Sequence, residues 1–166
     1  MITSQKVSLF LLRIAVGWLM FYAGITKIVM YSVEKGWYNP QFSAAFYLKG
    51  AKLFTAFYQS LLSPDILPTV SFINKWGLTL LGVSLILGVF VRFSSVLGTI
   101  LMLLYYFPLG FPYPNTHSFI VDEHIIYALV LLVLASFRAG RVWGLENWCS
   151  NLPICSKIPK YRSWLG

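Results

Sequence analysis

Four apolar runs set the terms for this chain. They are VSLFLLRIAVGWLMFYAGITKIVMY (7–31), VSFINKWGLTLLGVSLILGVFV (70–91), FSSVLGTILMLLYYFPLGF (93–111) and SFIVDEHIIYALVLLVLASF (118–137). Each is close to the roughly 20 residues that a helix needs to cross a hydrocarbon layer of about 30 Å. Inside such a layer the backbone must satisfy its own hydrogen bonds, so the runs are expected as helices. Hydrophobic side chains make up 58% of the 166 residues and charged ones only 11%. A water-soluble fold carries about a quarter charged residues and could not cover so much apolar surface. The expectation is an all-α, polytopic membrane protein: one domain, residues 1–166, built as a four-transmembrane-helix bundle. The first run exceeds the roughly 7–15 residues of a signal-peptide core and no A-x-A site follows it, so it reads as a retained span.

Punctuation between the runs predicts their arrangement. Arg92 alone separates the second and third, which implies a tight antiparallel hairpin. Pro108, Pro112 and Pro114 end the third, because proline lacks an N–H and disfavours helix before it. Four spans put both termini on one side. Eight Lys and Arg fall there (Lys6, Arg13, Arg92, Arg138, Arg141, Lys157, Lys160, Arg162) and five on the other (Lys27, Lys35, Lys49, Lys52, Lys75). The positive-inside rule then places both termini in the cytoplasm of a multi-pass protein in the cell (plasma) membrane. The net charge of +8 is read as orientation and contact with anionic lipid, with no nucleic acid partner.

The segment 32–69 then lies outside. Within it, SAAFYLKGAKLFTAFYQSLL (43–62) aligns Phe46, Leu53, Phe57 and Leu61 on one face, interrupted at Gly50, and is expected as an interfacial helix. It either roofs a site between the spans or lies on lipid. The tail 138–166 is basic and aromatic, with Trp148, Tyr161 and Trp164 as interfacial anchors. Arg13, six residues into the first span, is expected to snorkel to the inner surface. Gly17, Gly24, Gly82 and Gly88 are expected to permit close helix packing. The G-x-x-x-G in GRVWG, at the end of a span, is read as without consequence.

Candidate chemistry sits at the outer mouth of the fourth run. Asp122, Glu123 and His124 lie roughly 6–9 Å below its edge if a helix begins at Ser118. Ionisable groups at depth are costly and mark functional sites, usually with a partner inside the bundle. A continuous helix would stack His117 over His124, two turns apart, with Tyr127 a further turn inward. Lys27, near the outer end of the first span, reaches a similar depth. One reading is an outward-facing pocket in which Lys27 holds an anion while a carboxylate and His124 move protons. The other is that the acids serve the helix dipole and Lys27 neutralises one of them. His117 also reads simply as a loop residue before the helix.

Other chemistries lack their motifs. There is no C-x-x-C-H for attached haem and no glycine-rich nucleotide loop. Cys149 and Cys155, spaced C-x5-C, make no zinc site by themselves. Two histidines on one face of one helix cannot clamp a haem from both sides. No metal or haem is expected in this chain, so any electrons must pass to a bound organic acceptor or through a partner.

Several stretches together resemble the DoxX/DoxD membrane-protein family. RIAVGWLMFYAGITK is similar to its first-span pattern through Arg13, Gly17, Gly24 and Lys27. GLTLLGVSLILGVFVR is similar to its glycine-rich second span through Gly82, Gly88 and Arg92, and AGRVWGLENW to its closing stretch. The long outer segment and VDEHIIYALVLLVLASFRAG look closest to the DoxD branch. Many family members carry a Glu early in the second span, where this chain has Leu78. The resemblance implies the membrane subunit of a thiosulfate:quinone oxidoreductase, paired with a small DoxA-like subunit and associated with a terminal quinol oxidase. It would oxidise thiosulfate to tetrathionate and use a quinone as electron acceptor. Lys27 and His117 would then meet the dianion, Asp122, Glu123 and His124 would be the catalytic groups, and His124 with Tyr127 would hold the quinone. The alternative is a non-catalytic accessory or assembly subunit of a respiratory terminal oxidase.

Overall fold

The structure is a computed structural model that describes residues 2–29, 42–110 and 119–149. His117, Pro112, Pro114 and the tail from residue 150 lie outside the described residues, as do the side chains of Phe46, Trp148 and Cys149. The described chain is helical throughout, with no strand. Its elements are α1 (Thr3–Val29), α2 (Ala45–Lys49), α3 (Thr55–Ser60), α4 (Leu67–Leu87), α5 (Val91–Tyr106), α6 (Glu123–Ser136) and α7 (Leu145–Cys149). Short 3-10 turns follow α5 and α6, at Phe107–Leu109 and Ala139–Arg141. Two helices, α1 with 27 residues and α4 with 21, are long and apolar enough to cross a membrane. The apolar α5 and α6 are shorter, at 16 and 14 residues.

The helices pack as two pairs, α1 with α4 and α5 with α6, around one shared core. Glycine decides the first pairing. A β-carbon on Gly24 would strike the backbone and hydroxyl of Thr79, and one on Gly82 would strike the backbone of Phe21. The two backbones therefore touch, as small residues allow where apolar burial drives little association. Gly88 does something different. It caps α4 in the left-handed region at φ 68°, and the N–H groups of Gly88 and Val89 return to Leu85 and Ser84 carbonyls. The Ser84 hydroxyl meets that of Ser94 across the turn at 2.7 Å, which fixes the α4–α5 hairpin.

At the other end of the fourth run the helix starts later than the hydropathy pattern predicts. Asp122 is extended, with ψ −178°, and its carboxylate accepts the Ile125 N–H at 3.1 Å. That is an N-cap, so α6 begins at Glu123 and residues 119–122 precede it. The helix carrying His124 does not run back through 119–122, and His117 lies outside the described residues. The interfacial helix expected over 43–62 is likewise two short helices, broken around Gly50. They are tied down onto α4 and α5. Ala44 N–H donates to Ser71 Oγ, Lys52 N–H to the Pro108 carbonyl and Tyr58 Oη to the Leu104 carbonyl.

Arg13 does not snorkel. Its side chain is fully buried, and Nη1 donates to the carbonyls of Ala139 and, at 2.9 Å, of Val142. Gly88 and Gly144 both press against the guanidinium, while Gly140 leaves room for the Glu146 carboxylate. Glu146 in turn accepts the Val91 N–H at 2.7 Å, capping α5, and its own N–H donates to the Gly88 carbonyl. The G-x-x-x-G thus has a consequence: Gly140 and Gly144 let the chain after α6 close over Arg13. This clamp joins the body of α1 to the C-terminal ends of α4 and α6 and the N-terminal end of α5.

Candidate functional site

The opposite end of the helix pairs carries the candidate site. Lys27 stands in the last turn of α1, where the carbonyl end of the helix favours a cation. Its Nζ donates to Asn74 Oδ1 on α4 at 3.1 Å. The ammonium also lies 5.4 Å from the ring centre of Phe42 and 5.9 Å from that of Tyr105 on α5, both within cation–π range.

Tyr105 is the hub. One side of its ring faces Lys27, and it meets the His124 ring edge-on at 5.9 Å. Tyr47 of α2 comes down on it at 5.5 Å, so the segment between α1 and α4 covers the cluster. His124 Nδ1 lies 2.6 Å from Asp122 Oδ2, and Asp122 is only 5% exposed. One carboxylate therefore does two jobs: one oxygen caps the helix and the other orients the imidazole. When Nδ1 carries its proton toward Asp122, Nε2 is the ring's acceptor.

Of the residues singled out in the sequence, Lys27, Asp122 and His124 thus come together through Tyr105. Glu123 opens α6 as an exposed residue, and Tyr127 packs against the apolar core. Leu78, where the family often has Glu, is buried in that core against the Gly24 approach. Asn74, Tyr105 and Tyr47 were not anticipated. Asn74 offered a signal, as an amide placed inside an apolar run; the tyrosines among thirteen Phe and ten Tyr offered none.

Two buried hydroxyls stand in this cluster: Tyr47 Oη, which has no hydrogen-bond partner among the described residues, and Tyr105 Oη, which meets the Asn74 side chain. Burial, followed by Tyr58, Tyr105 and Asp122 nearby, pushes the Tyr47 phenol well above its ordinary value of 10.0, so it remains a donor. A buried hydroxyl without a partner costs free energy that a bound acceptor would restore.

The scaffold around this site has known counterparts. A family model described as DoxX matches residues 8–109, from α1 through α5 and the turn after it. The chain belongs to the DoxX family. DoxX proteins are membrane-associated, and the two long apolar helices agree with that setting. No curated protein and no solved structure matches the chain.

Proposed function

We propose that this DoxX chain is the membrane subunit of a thiosulfate:quinone oxidoreductase. In this reading α1, α4, α5 and α6 all span the bilayer, with both termini in the cytoplasm of the cell membrane. Exposed apolar side chains on all four support it: Leu11 and Trp18, Phe72 and Leu80, Leu97 and Ile100, Leu129 and Leu132. The shorter α5 and α6 gain length from the turns that follow them. The small DoxA-like subunit and the terminal quinol oxidase implied by the sequence resemblance are its partners.

One observation carries the redox reading. The buried hydroxyl of Tyr47, without a partner among the described residues, and that of Tyr105, beside Asn74, lie next to the Asp122–His124 pair, under an aromatic roof. A quinone has two carbonyl acceptors on a flat apolar ring, and these residues fit that chemistry: aromatic walls, phenol donors and an imidazole backed by a carboxylate. Two thiosulfates joining through a new S–S bond release two electrons, and reducing a quinone to quinol takes those two electrons and two protons. His124 supplies a proton through Nε2, Asp122 steadies the imidazolium, and the Lys27 charge attracts the dianionic donor.

The test is thiosulfate-dependent quinone reduction by the natively purified complex, comparing wild type with His124→Ala, Lys27→Ala and Tyr105→Phe. Turnover should vanish in the first two and fall in the third, with the complex still assembled. Wild-type turnover in all three would end the catalytic reading and leave an accessory subunit.

A further inference from the structure

Asn74 is the only amide side chain in α4, about two turns in from the start of that helix. It touches a polar group on each of two neighbouring helices. Lys27 Nζ of α1 donates to Oδ1 at 3.1 Å, and the Tyr105 phenol of α5 meets the same amide. An amide set between apolar helices can serve simply as glue. Glue needs no direction, but this contact has one. An ammonium carries donors only, so Lys27 fixes which end of the amide is the oxygen. The N–H groups are what Asn74 has left for Tyr105.

A phenol oxygen that accepts a hydrogen bond still has its own proton to give. No acceptor for the Tyr105 proton occurs among the described residues. Tyr47 Oη, whose ring centre lies 5.5 Å from that of Tyr105, has no partner there either. Both Asp122 oxygens are already engaged, one by Ile125 N–H and the other by His124 Nδ1. The cluster therefore holds two phenol protons in want of acceptors. Among the described groups around them, His124 Nε2 is what can take a proton from a ligand.

We propose that Asn74 is a positioning residue: it donates to Tyr105 Oη, aims the phenol proton into the cluster, and so selects the oxidised form of a quinone ligand over its quinol. The inference rests on the quinone reading of this site. A quinone carbonyl only accepts, and it meets both phenols without conflict. A quinol oxygen brings a proton of its own and must turn it away from them. The reduced ligand thus fits less well than the oxidised one, so product leaves more readily than substrate. Lys27 then acts through Asn74 as well as through its charge.

The experiment uses the full chain in nanodiscs and two neutral probes, duroquinone and durohydroquinone, measured anaerobically by equilibrium dialysis. Wild type should hold the quinone roughly threefold to tenfold more tightly, the scale of one hydrogen bond between neutral groups. Asn74→Asp keeps the size of the side chain and an acceptor for Lys27, but its second oxygen accepts where the amide donated. Tyr105 then gives its proton to the carboxylate and offers the ligand a lone pair, so the preference should fall to parity or reverse. Both probes are uncharged, so the added charge beside Lys27 bears on them alike. Raman difference spectra, taken against Tyr105→Phe in each background, read the same switch without ligand. The tyrosine doublet should report Tyr105 as an acceptor in wild type and as a donor in Asn74→Asp, and the wild-type spectrum decides the matter if Asn74→Asp does not fold. Absence of duroquinone binding to wild type overturns the quinone reading and this inference with it. Quinone binding with an unchanged preference in Asn74→Asp, or a wild-type Tyr105 that reads as a donor, overturns the role of Asn74 and leaves the quinone reading standing.

Discussion

Replacing Arg13 with Met separates two physical pictures of the first helix. If the guanidinium reached the surface along its stem, Arg13→Met would behave as a surface change, within about 0.5 kcal/mol. The buried clamp predicts otherwise. Arg13 donates to the carbonyls of Ala139 and Val142 with no exposure to solvent. Each such bond from a charged donor contributes about 1.5–3 kcal/mol, so losing both costs about 3–6 kcal/mol. Methionine would return roughly 1.5–3 kcal/mol through its own burial. A net loss of about 1.5–3 kcal/mol remains, and for a chain of this size it lowers the melting temperature by roughly 3–12 °C. Thermal unfolding of the detergent-purified chain, followed by circular dichroism, measures this directly. A melting temperature unchanged from wild type would refute the clamp and restore the snorkelling arginine.

Three further outcomes follow from other contacts. Gly82→Val sets a branched side chain against the Phe21 backbone, and overpacking of about 1–3 kcal/mol should separate α1 from α4; a fully stable variant would deny the close approach. Asp122→Asn keeps an acceptor for the Ile125 N–H but loses the charge beside His124, so stability should hold while turnover falls; Asp122→Ala should also lose about 1 kcal/mol of capping, and equal stability of the two variants would contradict the cap. Burial raises the Glu146 carboxyl above its ordinary 4.5, against the lowering by Val91 N–H, Arg141 and Arg13. The folded chain therefore holds that proton more tightly than the unfolded chain. Its contribution to stability is full at low pH and is lost as pH rises through the raised value. Glu146→Gln should flatten unfolding midpoints measured upward from pH 4.5, and an unaltered slope would assign the dependence elsewhere.

Hydropathy located the helices well because it reports what surrounds each segment. The ends of α1 and α4 fall within a few residues of the apolar runs, and Pro108 lies in the turn that ends α5, as proline chemistry requires. The start of α6 was missed because apolar length was weighed above capping. Asp122 followed by Glu123 and an apolar run is an N-cap signal that the chain displayed openly. Arg13 was misread for a different reason. Its two acceptors lie 126 and 129 residues away, and no periodicity within the first span can announce them. The same distance hid the use of Gly140 and Gly144, whose packing partners include Glu146 and Arg13.

The residues that carry the family pattern and those that carry the proposed chemistry are largely different sets. Arg13, Gly17, Gly24, Gly82 and Gly88 close helices on one another or build the Arg13 clamp, so they account for a shared scaffold with any ligand or with none. Of that pattern, Lys27 alone enters the cluster around Tyr105. The family match ends at residue 109, whereas Asp122 and His124 stand beyond it on α6. A DoxX scaffold thus holds Lys27, Asn74 and Tyr105 at one end of α1, α4 and α5, and the segment after it determines which acid and base they face. Chemistry in this chain is therefore expected to respond to changes at 122 and 124 independently of the glycines. Gly82→Val should cost stability and turnover together, while His124→Ala should cost turnover alone. If His124→Ala instead lowered the melting temperature as far as Gly82→Val did, the imidazole would be part of the scaffold, and the redox reading would lose its proton donor.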